Sequence, residues 1–464
     1  MADDGLARID EHMTDFEALM WNLEKDPRLS SNIANMSILD RAPDLDRMRA
    51  TLERASVVFP RLRQRVAPVF GRLAPPRWEI DPNFDLDHHL KHISLGGRGT
   101  KRDLYRLATS LFMDPFDRTR PLWEFVVIDG LRGGKAAMVQ RLHHTITDGQ
   151  GGLRLSLEFI DFERDAPQRP AVDAEPVEPH DGSLLGSVTE AVTHVARRQF
   201  GVARRTVEGT IDAVVHPASL VETGTGAIEL AKSTVRQAHV GDAPLSPLWT
   251  QRSLSRSFHT LDVPLAAAKD AARRHGVSVN DVFVAGATLA AGEYHRQLGT
   301  PATGLRMAMP ISQRADRAIG GNVFSPSQSV LPADVDDPAE LLAAVHAVLD
   351  RTKAEPAVGA ANALAGFINL LPTSMVTRTS YRFAGAIDFV TSNMRAAPMD
   401  TFIAGALMES NYPMGPLAGA AFNLTTMSFR GNLNMGLVVD TVAVAEPERL
   451  LTCLTAAYRR LVRA

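Results

Sequence analysis

The chain has 464 residues, of which 45% are hydrophobic and 22% charged, and 50 Lys and Arg against 53 Asp and Glu give a formal net charge of −3. This balance is typical of globular proteins, and because no basic block or tail is present, nucleic acid is not an expected partner. The lone cysteine, Cys453, excludes a disulfide framework within the chain and fits a reducing compartment.

The N-terminus is acidic and has no apolar core of the kind found in secretory signals. The longest apolar stretch, residues 282–292, is about half the length needed to cross a bilayer. The sequence therefore predicts a cytoplasmic protein that does not span a membrane.

The first part of the chain mixes helical and strand patterns. Apolar residues recur at helical spacing in three segments, which we predict as helices: 14–26, 45–59 and 101–112. Short apolar or alternating runs predict five strands: 32–39, 78–80, 90–93, 123–128 and 136–142. Helices interspersed with short strands predict an α/β (α+β layered) domain over residues 1–164.

Residues 165–245 have a different composition. Residues 165–182 are rich in proline and acidic side chains, which is typical of a solvated linker. Residues 183–216 then place Leu185, Ile211 and several valines on one side of a helical wheel and arginines largely on the other. We interpret this segment as a crossover helix packed on a domain, and an interfacial helix on an anionic lipid surface is the alternative.

Residues 246–464 repeat the mixture of the first part, which predicts a second, similar layered domain. The helix predictions are 266–275, 280–298, 338–352 and 447–462. The strand predictions are 257–263, 305–311, 324–331, 387–392, 420–428 and 432–439.

Missing motifs narrow the chemistry. The chain has no G-x-S-x-G elbow, no Walker A loop and no G-x-G-x-x-G after a strand. Cys453 lies in the final apolar helix, where a structural thiol is expected. The sequence therefore offers no clear nucleophile for a covalent acyl-enzyme.

His143 and His144 end an alternating run and precede Asp148 and Gly149. Successive strand residues point to opposite faces, so one imidazole is expected to face a cavity while the other packs behind it. A neutral histidine, with an ordinary pKa of about 6.5, suits proton removal from a hydroxyl, which contributes roughly 10²–10⁴ in rate. Asp148 could fold back beside the strand end to hold an imidazole or pair with an arginine.

Two other interpretations of this segment compete. The pair could be hydrogen-bonded core histidines, or His143, His144 and Asp148 could bind zinc, although no further ligand cluster stands nearby and we assign no metal. His88 and His89 form a second double histidine without Asp-Gly behind it, which we interpret as structural. The H-H-x-x-x-D-G spacing distinguishes the two pairs.

That spacing resembles the condensation-domain and chloramphenicol-acetyltransferase superfamily of acyltransferases. Further short motifs resemble the bacterial wax ester synthase/diacylglycerol acyltransferase family over nearly the whole chain. In chain order they are Arg120-Pro121-Leu122-Trp123-Glu124, Val279-Asn280-Asp281-Val282, Met309-Pro310-Ile311-Ser312-Gln313-Arg314 with Gly321-Asn322, and Val390-Thr391-Ser392-Asn393.

The resemblance implies two chloramphenicol-acetyltransferase-like domains with the active-site tunnel between them. It implies His144 as the general base, a structural Asp148, and a turn that Gly149 permits. The acceptor hydroxyl would attack acyl-CoA directly, with acyl-CoA as a substrate and no bound cofactor. The acceptor would be a lipid hydroxyl, either diacylglycerol or a fatty alcohol.

An acyltransferase also needs an oxyanion stabiliser, for which this family likeness offers the polar candidates Asn280, Thr391, Ser392 and Asn393. The alternative for Asn280 is an N-cap of its helix. We expect structural roles for Pro121, Leu122, Trp123 and Asp281.

Two functional alternatives stay open. The chain could be a condensation-like enzyme acting on a polyketide, peptide or other acceptor, or a non-catalytic lipid-surface binding protein. The family likeness and the amphipathic segment are consistent with peripheral contact with a membrane or lipid droplet.

Overall fold

The structure is a computed structural model that describes residues 12–67, 75–146, 149–172, 243–312, 324–354, 368–369 and 372–464. Its helices are α1 (Asp15–Leu23), α2 (Leu45–Val58), α3 (Lys101–Met113), α4 (Gly149–Ser156), α5 (Leu265–Arg274), α6 (Val279–Gln297), α7 (Pro338–Lys353), α8 (Thr373–Gly385) and α9 (Pro447–Arg463). Its strands are β1 (Asn32–Leu39), β2 (Gln64–Ala67), β3 (Arg77–Ile80), β4 (Leu90–Ser94), β5 (Trp123–Asp129), β6 (Ala136–His143), β7 (Arg256–Pro264), β8 (Gly304–Ser312), β9 (Phe324–Pro332), β10 (Phe389–Arg395), β11 (Phe402–Ile403), β12 (Ala406–Met414), β13 (Phe422–Phe429) and β14 (Asn432–Asp440).

Within these ranges the strands form two six-stranded sheets and one two-stranded pair, β2-β3. The first sheet has the order β11-β12-β1-β6-β5-β4, and the second has the order β7-β14-β13-β10-β8-β9. In the first sheet β1 and β6 are antiparallel, and their register pairs Asn32 with His143. The histidine pair therefore lies where β6 ends, beside the beginning of β1.

One pairing corrects the predicted domain division. We expected residues 246–464 to form the second domain alone, but β12 pairs with β1 from Ala34↔Met414 to Leu39↔Met408. The second half of the chain thus contributes β11 and β12 to the first sheet. The sequence of a single strand does not identify a partner so far away in the chain, because the pairing depends on register and backbone hydrogen bonding.

The two sheets meet along β12, β7 and β14. Tyr412 donates its hydroxyl to Asp262 Oδ2 at 2.9 Å, and Asn434 donates to the other oxygen of the same carboxylate at 2.6 Å. Gly436 approaches Pro413 so closely that any Cβ at this position would overlap the Pro413 carbonyl. Polar contacts and close backbone packing therefore both hold β12 against the second sheet.

The second half has its own core around α6, the predicted buried helix. Every residue from Asp281 to Gly292 is buried, as expected for a helix that is apolar on all sides. Gly286 gives room for the ring of Tyr458 on α9, whose hydroxyl donates to the Phe283 carbonyl at 2.7 Å. The helix is thus packed inside the domain.

The predicted strand 32–39 agrees with the structure at both ends, and the other predicted helices and strands in the described ranges have structural counterparts whose ends differ by a few residues. The predicted amphipathic helix at 183–216 and most of the segment 165–245 lie outside the described residues. None of the helices within the described ranges is both long and apolar enough to cross a bilayer.

Candidate active site

His143 is the last residue of β6, and its ring is 1% exposed. Its Nδ1 accepts the backbone N–H of Thr145 at 3.2 Å and lies 2.6 Å from the hydroxyl of the same residue. A nitrogen that accepts an N–H carries no proton, so the proton of a neutral ring is on Nε2. The only basic lone pair of His143 is therefore already occupied.

The other side of the ring faces Glu24, the residue directly after α1. The His143 Nε2 lies 3.0 Å from Glu24 Oε1. Glu24 also accepts the backbone N–H of Ser31 at 2.7 Å and the guanidinium of Arg118 at 3.0 Å. Burial alone would raise the pKa of this carboxyl, but His143, Ser31 and Arg118 together lower the pKa to about 2.

His144 is the first residue of the turn after β6 and is half-buried. Its backbone N–H donates to the carbonyl of Ser31 at 3.0 Å. Ser31 also donates its own N–H to Glu24, so it links Glu24 to His144. Gly149 begins α4, which starts five residues after His144. Asp148 lies outside the described residues, so its predicted place beside the histidines stays a prediction.

A chamber of about 220 Å³ borders His143 between the two halves of the chain. Glu24 and Asn32 also line it, together with the arginines Arg28, Arg118 and Arg256, and most of the remaining lining is apolar. Its main apolar side chains are Trp21, Phe112, Phe116, Leu122, Leu254 and Leu417. Leu254 and Leu417 come from the second half of the chain.

The Pro121-Leu122-Trp123 motif lies at the start of β5, and all three residues are buried. Trp123 donates its indole N–H to the Leu62 carbonyl at 2.7 Å. Its ring stacks on His89 with centroids 4.5 Å apart. Trp123 is thus a packing residue, while Leu122 contributes to the chamber wall.

His89 is the buried member of the second double histidine. Its Nδ1 lies 2.8 Å from the Trp123 carbonyl oxygen, and burial lowers the pKa of the ring. His88 is exposed, with Nε2 3.8 Å from Asp85 Oδ2. Both contacts agree with the structural role predicted for this pair.

The structure brings together two of the four predicted oxyanion candidates. Asn393 on β10 donates its amide to Oδ1 of Asn280 on α6 at 3.2 Å. The Asn280 amide in turn lies 3.8 Å from the sulfur of Met309, a weak acceptor. The alternative role of Asn280 as an N-cap is wrong, because Ser278 is the N-cap and Asn280 lies inside the helix.

Thr391 and Ser392 differ from this pair. Thr391 is fully buried and donates its hydroxyl to the sulfur of Met307 at 3.0 Å. Because it points into the core, the prediction that Thr391 is an oxyanion candidate is corrected to a packing role. Ser392 is half-buried on the opposite face of β10, as strand alternation requires.

Asp281, predicted as structural, helps to cap the N-terminus of α6. It forms a capping box with Ser278, in which its carboxylate accepts the Ser278 backbone N–H at 2.8 Å. The same carboxylate lies 2.9 Å from Nδ1 of His346 on α7. These contacts fix the helix start that carries Asn280.

Among the described residues no group of three or more His, Cys, Asp or Glu side chains is placed to hold a metal ion. Glu24 is the residue that the sequence analysis missed. It follows a short amphipathic helix and belongs to no recognised motif, so only its place before Pro27, where the helix must stop, could have drawn attention to it.

Comparison with known proteins gives the chain its relatives. The family model described as the wax ester synthase/diacylglycerol acyltransferase catalytic domain matches residues 13–283, and its companion C-terminal domain matches residues 320–462. A Mycobacterium tuberculosis protein provisionally named diacylglycerol O-acyltransferase is 32% identical, with 100% of this chain and 94% of that protein covered. A second protein from the same organism, with the same provisional name, is 29% identical over 97% of this chain and 96% of its own length.

Solved structures show the same fold. The wax ester synthase/diacylglycerol acyltransferase of Marinobacter aquaeolei VT8 matches with a TM-score of 0.65 at 21% identity, covering 97% of this chain and 98% of that one. The first condensation domain of the calcium-dependent antibiotic synthetase matches with a TM-score of 0.61 at 15% identity, covering 98% and 96%. The chain is therefore an acyltransferase that belongs to the wax ester synthase/diacylglycerol acyltransferase family.

Proposed function

We propose that the protein transfers a long-chain acyl group from acyl-CoA to a lipid hydroxyl, with His144 as the general base. The observation that carries this proposal is the state of His143. Its Nδ1 contacts Thr145 and its Nε2 faces the Glu24 carboxylate, so both ring nitrogens already have partners within the protein. Of the two histidines in the motif, His144 is therefore the one assigned to proton transfer.

In the proposed reaction His144 takes the proton of the acceptor hydroxyl, and the hydroxyl oxygen forms a bond to the thioester carbonyl carbon. The carbonyl oxygen becomes an oxyanion. Collapse of this intermediate breaks the carbon–sulfur bond, and the CoA thiolate leaves with the proton from His144. A general base of this kind contributes roughly 10²–10⁴ in rate.

The amide pair Asn280–Asn393 is our candidate for oxyanion stabilisation. Asn280 is anchored at the capped start of α6, and Asn393 is fixed by β10. Two rigid elements thus hold the amides before substrate arrives, which is the condition under which such donors are effective. Losing a single donor of this type costs roughly 10²–10³ in rate.

The acceptor is tested with a matrix of substrates. Palmitoyl-CoA is offered with dioleoylglycerol, hexadecanol, an amine and a peptide, and both CoA release and the acylated product are measured. The proposal predicts an ester product with dioleoylglycerol or hexadecanol. An amide or peptide product alone would favour a condensation-like enzyme. Liposome binding without CoA release for every acceptor would favour a non-catalytic lipid-surface protein.

A further inference from the structure

A second cavity, a cleft of about 830 Å³, opens next to the chamber that borders His143. It lies between the segment that follows α1, the segment that precedes β7, and α8. The charged and aromatic residues that line it include Lys25, Asp26, Arg28, Arg252, Arg378 and Tyr381. We call this cavity the basic cleft.

The basic cleft has four cationic side chains and one carboxylate in its lining. Asp26 is bound bidentately by Arg28, at 2.9 and 2.7 Å, so the carboxylate neutralises a single cation. Lys25 and Arg378 are exposed, and neither forms an ion pair with another side chain in the part of the chain that the structure describes. The cleft therefore presents an excess of positive charge to a ligand.

Two of the cations are held in place before any ligand binds. The guanidinium of Arg28 lies over the ring of Tyr381, with Cζ 3.6 Å from the centroid. Arg252 donates to five backbone carbonyls, including those of Gly419 at 2.5 Å and Ile387 at 2.9 Å, so it contributes charge and not free N–H donors. Because its partners are neutral, Arg252 keeps a positive charge at this position without a directly bound carboxylate.

The basic cleft adjoins the chamber. Pro27, Arg28 and Leu254 line both cavities. A ligand with its anionic end in the basic cleft would therefore lie next to the apolar space beside His143. Arg118 and Arg256 also line the chamber, but each is paired with a carboxylate, so the unpaired positive charge lies in the basic cleft and most of the chamber wall is apolar. This arrangement matches an amphipathic molecule with a phosphorylated end.

We propose that the basic cleft binds the phosphate groups of such an amphipathic substrate while its apolar part extends toward the chamber beside His143. Arginine and lysine side chains are the usual protein ligands of phosphate, since they combine charge with several N–H donors. Two sources share this chemistry, the phosphates of CoA and the phosphate of a phospholipid headgroup. The inference rests on the proposed function, because it supplies the position of that reaction's substrate.

The test is a double charge reversal, Lys25→Glu with Arg378→Glu, chosen because both side chains are exposed and outside the histidine site. The matched control is Lys269→Glu with Arg459→Glu, two exposed cations on α5 and α9 that give the same change in net charge. CoA and pantetheine binding are measured by equilibrium dialysis on the full chain. Sedimentation with phosphatidylcholine vesicles that contain phosphatidic acid is measured in parallel.

If CoA occupies the basic cleft, the double reversal weakens CoA binding by about tenfold and leaves pantetheine binding unchanged, since pantetheine has no phosphate. If the headgroup occupies it, vesicle binding falls while CoA binding is kept. The inference is overturned if the double reversal weakens neither CoA binding nor vesicle binding more than the control variant does. It is also overturned if pantetheine binding falls as much as CoA binding. Because these assays need no turnover, a wild type that binds CoA through the basic cleft but shows no acyl transfer would refute the proposed function alone.

Discussion

The Nε2 of His143 lies 3.0 Å from Oε1 of Glu24, and this contact joins the end of β6 to the end of α1. The ring and the carboxylate are both buried, with side chains 1% and 12% exposed. Glu24 also bonds the backbone of Ser31, whose carbonyl accepts the His144 N–H. A residue outside the recognised motif therefore orients both histidines of that motif.

Replacing Glu24 with Gln should remove charge-dependent stability. The pKa of Glu24 is lowered from 4.5 to about 2 in the folded protein, so its stabilising contribution is complete above about pH 4.5 and is lost as the pH falls through 2. We expect Glu24→Gln to reduce the free energy of unfolding by about 3 kcal/mol at neutral pH.

The measurement is urea unfolding of both proteins at several pH values between neutral and about 3, where the difference should shrink. Glu448→Gln is the control, because the Glu448 side chain is 80% exposed. A Glu24→Gln deficit that does not depend on pH would contradict the electrostatic explanation.

The second prediction concerns the stability contributed by the buried pair of Arg141 and Glu124. The side chains are 5% and 8% exposed and are hydrogen-bonded to each other, and Lys91 also contacts Glu124. Arg141→Met removes the buried partner of Glu124 and leaves the carboxylate with the half-exposed Lys91, so this variant should lower the free energy of unfolding by about 3 kcal/mol.

The double variant Arg141→Met/Glu124→Leu should lose less stability than Arg141→Met alone, because it removes the stranded carboxylate together with its partner. Urea unfolding of the two single variants and the double variant gives the coupling energy. Strictly additive losses would show that the two charges do not stabilise each other.

Gly436 tests the junction between the two sheets. A Cβ on this residue would overlap the Pro413 carbonyl, and backbone cannot move aside as a flexible side chain can. We expect Gly436→Ala to lower the free energy of unfolding by about 1–3 kcal/mol. Gly96→Ala is the control, since nothing lies within 4 Å of its Cβ position, and equal stability of both variants would refute the close packing of β12 on β14.

The amide pair makes a catalytic prediction. Asn280→Ala should lower kcat by roughly 10²–10³ with little change in KM, if the amide acts on the transition state. Thr391→Val, which removes a hydroxyl pointing into the core, should leave kcat unchanged. A kcat for Asn280→Ala equal to that of wild type would remove Asn280 from the oxyanion site.

Elements with local sequence signals could be predicted from the sequence. The helix α6 was predictable because its apolar stretch and its Ser278-x-x-Asp281 start are local signals. That capping box was present in the sequence, and it would have removed the cap role considered for Asn280. Local signals of this kind account for the helix ends and for the histidine motif.

Non-local relationships were not predictable. The crossing of β12 into the first sheet depends on its register with β1, and no pattern within residues 406–414 encodes that partner. The contact of Glu24 with His143 joins residues 119 positions apart in the chain. Both features required the fold itself, since a single sequence records what each segment favours and not which segments meet.

The central claim is that His144, and not His143, transfers the proton. The most direct test is the rate of CoA release from palmitoyl-CoA with the acceptor found in the substrate matrix, for wild type, His144→Ala and the exposed control His88→Ala. The account predicts that His144→Ala is slower by roughly 10²–10⁴ at unchanged folding, while His88→Ala equals wild type. A His144→Ala variant that releases CoA as fast as wild type would contradict it.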